Sequence, residues 1–221
     1  MATPFTDIYC LNTVIKNDSR LVNKPQNALY KLYYEYLKFA ISYFRNDCNK
    51  DLDNHTGFVQ SEYSFVGDGV DDEFLLSPAP TSYDNFYIET DNNGLISTDY
   101  TYSFDENTDL LTITPVPPLN ADLYVSAYGI GSFVDDLNMT EKVILAEGMN
   151  VPWQEEQLNK QSLLNHIIYG GGTKMYSQGE HIKQVKDVSQ NQYFKLVKGM
   201  INEYSYKENL QAMYGLGGDL V

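Results

Sequence analysis

The hydrophobic period changes twice along this chain, and that limits the folds open to it. From Ala28 to Phe44, the residues Leu29, Leu32, Tyr33, Tyr36, Leu37, Ala40, Tyr43 and Phe44 recur at three- and four-residue steps, the spacing of one helix face. Asn23 and Pro25 suit its start, as a cap and as an early helical position whose missing N–H costs nothing. From about residue 58 the period falls to two. Phe86/Ile88, Tyr100/Tyr102/Phe104, Leu111/Ile113 and Leu123/Val125/Ala127 alternate with other residues, as in strands with one buried and one wet face. Turn clusters separate them at Asp91-Asn92-Asn93-Gly94, Asp105-Glu106-Asn107 and Pro115-Val116-Pro117-Pro118. After Gly131 the helical step returns, with Asn138 and Glu141 spaced as a capping box. Pro152 opens a second helix, predicted from about Trp153 to Tyr169 and stopped by Gly170-Gly171-Gly172. Ser177 and Glu180 open a third, carrying Val185, Ser189, Tyr193, Leu196, Met200 and Tyr204.

The expected fold class is therefore α+β. A helical domain, made of a long N-terminal helix plus C-terminal helices, carries an inserted antiparallel β-sandwich or small barrel. The expected boundaries are 1–57 for an N-terminal arm and the long helix, 58–131 for the inserted β module, and 132–221 for the C-terminal helices and a flexible tail. There is no βαβ alternation and no internal repeat. At 221 residues and 43% hydrophobic composition, the chain can bury a core without disulfides or metals.

The formal charge of −15 argues against general adhesion to nucleic acid or anionic membrane, which needs a dense positive surface. It is unevenly spread. Residues 50–137 hold 17 acids and one Lys, whereas residues 1–49 hold six basic and four acidic side chains and residues 138–221 hold eight Lys and nine acids. The N-terminus lacks the basic start and apolar run of a secretory signal, and no stretch approaches the ~18 apolar residues of a membrane span. Cys10 and Cys48 lack CxxC spacing. A soluble, intracellular chain is expected.

The residues suggest no catalytic, cofactor or metal site. His55, His166 and His181 stand apart, outside HExxH or Cys-containing ligand patterns. Asp68-Gly69-Val70-Asp71-Asp72-Glu73 is acidic enough for Ca²⁺, but the twelfth position from Asp68 is Ala79 where an EF-hand needs Glu. A solvated hairpin turn is the simpler reading. There is no G-x-S-x-G elbow, and among 30 acids no carboxylate pair stands out for glycoside hydrolysis. Gly170–Gly172 lacks the Gly-Lys-Ser/Thr of a phosphate loop. The C-terminal lysines Lys183, Lys186, Lys195, Lys198 and Lys207 read as a solvated helix face, or as a surface for phosphates or an acidic partner.

The tyrosines point to contacts. Tyr30, Tyr33, Tyr34, Tyr36 and Tyr43 surround the first helix, and Tyr30 and Tyr34 fall on the side away from Leu29, Leu32 and Tyr36. Tyr is enriched at interfaces because its body is apolar and its tip polar. The candidate subunit-interface residues are Tyr30 and Tyr34, with Phe5, Ile8 and Tyr9 of the N-terminal arm and Leu216 and Leu220 of the tail. Arm and tail are expected to order on assembly.

The middle module carries a resemblance. Asp68-Gly69, then Phe74-Leu75-Leu76-Ser77-Pro78-Ala79-Pro80, Phe86-Tyr87-Ile88-Glu89, Asp99-Tyr100-Thr101-Tyr102, Leu111 to Pro118 and Asp122 to Tyr128 follow the order of a small β-sandwich found in tailed-bacteriophage structural proteins. Phe133 to Leu137, Glu141 to Met149 and Trp153 resemble the helical part of phage neck proteins. These are the head–tail connector or adaptor rings under the portal, including those of crAss-like phages. The resemblance implies a structural virion protein without catalysis, forming a homo-oligomeric ring of about twelve subunits that matches the portal. Its implied partners are the portal protein, other neck or tail proteins, and genomic DNA that passes without sequence-specific binding; no membrane is involved. The implied location is the virion neck or tail region, with assembly in the host cytoplasm. The rival expectation is a tail-fibre or baseplate protein whose β module binds glycan. Alanine at both Tyr30 and Tyr34 is expected to weaken assembly more than monomer folding; equal losses in sedimentation and thermal melts would place both rings in a core.

Overall fold

The structure is a computed structural model that describes residues 2–19, 21, 23–80, 83–92, 95–157, 194–211 and 213. In chain order the elements begin with β1 (Thr3–Pro4), α1 (Phe5–Leu11), α2 (Thr13–Lys16) and α3 (Gln26–Phe44). Strands β2 (His55–Thr56), β3 (Val59–Val66), β4 (Glu73–Leu75) and β5 (Asn85–Asn92) follow. Then come β6 (Leu95–Ser97), β7 (Thr101–Asp105), β8 (Leu110–Thr114), β9 (Asp122–Gly129), β10 (Ser132–Phe133) and α4 (Met139–Gly148). Residues 150–157 and 194–211 are also helical. Two compact units result: Met1–Val22, Leu32–Thr56 and Ser132–Val221 form the first, and Asn23–Lys31 with Gly57–Gly131 form the second.

This corrects the expected fold class. The fold is mixed α/β with three antiparallel sheets, not a helical domain founded on a long N-terminal helix with one β insertion. The N-terminus folds as β1 and two short helices of seven and four residues. The first unit has its own sheet, ordered β1-β10-β2, in which Thr3 faces Phe133 and Ser132 faces Thr56. Strands of two residues are too short to display alternation, which is why the sequence pattern missed them. Helix α3 is divided, its opening turns belonging to the second unit and its remainder to the first.

In the first unit, Phe5, Ile8, Tyr9 and Ile15 are buried at steps that keep one helical face inward. Asn12 joins α1 to α2. Its Oδ1 accepts the Ile15 N–H, capping α2, and its Nδ2 donates to the Ala146 carbonyl at 2.6 Å. Asn138 and Glu141 form the capping box that starts α4, leaving few orphan donors at that helix end. The helix expected to run to Tyr169, the Gly170–Gly172 stop, the Ser177/Glu180 box, His166, His181, Lys183 and Lys186 lie outside the described residues.

The second unit has two sheets, ordered β3-β9-β5-β6 and β4-β8-β7. One core fills the space they share. Phe86, Ile88, Leu123, Val125 and Ala127 come from the first sheet, and Phe74, Leu76, Leu111 and Ile113 from β4, its following residue and β8. Each set lies on every second residue, so the pleat sends it to one face. Tyr128 closes the end near Gly129, with Tyr30 at 6.0 Å, Phe58 at 6.3 Å and its hydroxyl on Gln26 Oε1. That aromatic stack is why Asn23–Lys31 groups with the strands. The segment 57–131 leaves and returns through partnered residues, since Thr56 faces Ser132 and Val59 faces Gly129. Leu111 is fully buried in this core, so Leu111→Ala is expected to cost about 2–5 kcal/mol, read as a lower urea midpoint at unchanged slope.

Candidate functional site

Five of the expected interface residues, Phe5, Ile8, Tyr9, Tyr30 and Tyr34, lie among the described residues. Phe5, Ile8 and Tyr9 lie in the interior of the first unit, not on a free arm. Phe5 packs on Phe133 at 4.9 Å and on Tyr34 at 5.9 Å, and Tyr9 lies 5.2 Å from Tyr33. Tyr34 is half-buried on Phe5, with Lys38 Nζ 5.2 Å over its ring. Tyr30 is half-buried against Tyr128 within the second unit. Leu216 and Leu220 lie outside the described residues. Among the described residues, Phe5, Ile8, Tyr9 and Tyr34 thus belong to the first unit and Tyr30 to the second.

The second unit does present a surface. At the strand ends opposite Val59 and Gly129, four large apolar side chains stand in water: Val66 is 64% exposed, Val70 76%, Leu119 62% and Ile96 65%. Val66, Asp122, Asp91 and Ile96 follow one another across β3, β9, β5 and β6 in register. Val70 and Leu119 rise from the neighbouring loops; a Cβ on Gly69 would lie 3.3 Å from that of Leu119. The loops are held by backbone bonds from Gly67 N–H to the Ala121 carbonyl at 2.8 Å and from Asn120 N–H to the Gly67 carbonyl at 2.7 Å. Asp68 Oδ1 accepts the N–H groups of Val70 and Asp71 at 2.8 and 2.7 Å, which holds its carboxyl below the usual range. This is a turn-forming carboxylate. Among the described residues no cluster of three His, Cys, Asp or Glu is placed to hold a metal. In the sequence these loops carry turn composition, and Val70 between Gly69 and Asp71 is the one local sign of their apolar residues.

The first unit holds a groove of about 210 Å³ lined by Phe39, Tyr43, Gly148, Phe194, Val197 and Ile201, with Lys198, Asp47 and Asn202 among its polar members. Tyr43 packs edge-on against Phe194 at 5.2 Å. Gly148 is required there, because a Cβ would lie 2.8 Å from that of Ala40. At that size the groove is below the roughly 300–1,000 Å³ of small-molecule pockets.

The same unit buries one polar cluster. Glu141 has no exposed surface; its Oε2 accepts the Asn138 N–H at 2.7 Å and its Oε1 accepts the Tyr204 hydroxyl at 2.7 Å. Cys48 Sγ lies 3.9 Å from the same Oε1. Burial pushes the Cys48 thiol up to about 11, and burial with the Glu141 hydrogen bond pushes the Tyr204 phenol up as well. A thiol held protonated is a poor nucleophile, so this cluster supports structure and not covalent chemistry. The raised Cys48 value favours the protonated, folded form: its contribution is complete below the ordinary thiol value of 9.0 and is lost as pH rises through about 11. Thermal melts are expected to fall over that range. At pH 8, thiol reagents are expected to label exposed Cys10 and spare Cys48 until denaturant is added; equal labelling in the native chain would contradict the burial.

No helix among the described residues is long and apolar enough to cross a membrane. Compared with known proteins, the chain matches no family model, no curated protein and no solved structure.

Proposed function

We propose that the chain is a structural virion protein of a tailed-phage neck, forming an oligomeric ring that joins the portal to the tail and lets DNA pass. The observation that carries this reading is the second unit. The residues bearing the β-sandwich part of the phage resemblance lie in one two-sheet unit, whose segment 57–131 holds 13 acids and no Lys or Arg. One end exposes apolar side chains among its acids, and its loops are fixed by backbone bonds. Such a surface repels phosphate and suits contact with protein. In a ring each such contact repeats, so modest interfaces add up. The partners on this reading are further copies, the portal and other neck or tail proteins, with DNA passing without sequence-specific contact. No step of chemistry is assigned.

A second reading rests on the outer face of β5 and β9. Tyr124 is 47% exposed and stands opposite Glu89, whose Oε2 accepts the Tyr87 hydroxyl at 2.6 Å. Aromatic rings beside carboxylates suit a flat glycan contact, as in a tail fibre or baseplate protein. Two experiments separate the readings. Electron micrographs of virions carrying a gold-labelled chain are expected to show label at the neck, and the purified chain is expected to form rings with a purified portal. Label at fibre tips, together with saturable polysaccharide binding that Tyr124→Ala abolishes, would instead establish the glycan reading.

A further inference from the structure

We draw no further inference here: the strongest candidate, the exposed end of the second unit where Val66, Val70, Leu119 and Ile96 stand in water, has Asp122 and Asp91 between Val66 and Ile96 across the sheet, and nothing in the structure shows what covers it.

Discussion

Glu141 is a carboxylate with no access to water, and the first unit is arranged around satisfying it. An unpaired buried charge is among the most costly features a fold can carry. Here the backbone N–H of Asn138 serves one oxygen and the Tyr204 hydroxyl the other, and the N-terminus of α4 adds the favourable end of the helix dipole. The partners come from far apart in sequence: Cys48 is 93 residues away and Tyr204 is 63. Three segments are thereby fixed to one another: the turn after α3, the start of α4 and the helical run 194–211. Tyr204 also packs edge-on against Phe44 at 5.2 Å, so the polar tie and the apolar core share a residue. Moving the start of α4 or the 194–211 run would leave a buried carboxyl oxygen without its partner.

The second unit answers a different constraint, that of carrying many acids without a single internal cation in 57–131. About half of its acids lie in the segments between strands and the others on the strands. Asp68 and Asp105 each hold backbone N–H groups with their carboxylates, Asp105 accepting from Asn107 N–H at 3.0 Å and from the Thr108 hydroxyl at 2.9 Å. Those bonds hold both carboxyls below their usual range. Acidity is therefore partly a product of how the hairpins turn, and by itself it signals no partner. What distinguishes one end of the unit is that its turns and strand ends also expose valine, leucine and isoleucine, which solvent does not favour.

Legibility followed the length of the pattern. Phe86/Ile88, Leu111/Ile113 and Leu123/Val125/Ala127 could be read as a strand core because each set repeats the two-residue step and each is buried. Asn138 and Glu141 could be read as a box because the three-residue spacing carries its own chemistry. The N-terminal segment defeated the reading. Phe5, Ile8 and Tyr9 do have helical spacing, but Pro4 before them and Asn12 after them left seven residues, too short for the period to stand out. Sheet β1-β10-β2 was illegible because its two-residue strands are defined only by partners more than 70 residues away. The division of α3 between the units was also invisible, since Tyr30 joins the strands through Tyr128, a long-range contact no local pattern encodes.

The loops at the exposed end show why a surface of a few side chains can suffice. Gly69 has φ of 77° and Asn120 of 60°, backbone regions that Gly and Asn enter at least cost. Pro117 and Pro118 restrict the chain just before Asn120. Glycines elsewhere confer freedom, but here Gly67 is needed because the Pro118 carbonyl leaves no room for a side chain. The outcome is a narrow, ordered projection whose apolar side chains have few conformations to surrender. A floppy loop with the same residues would lose on ordering much of what it gained on contact. Rigidity at this end therefore acts on the entropy that docking would cost, and it is what would let a few exposed side chains suffice for a contact.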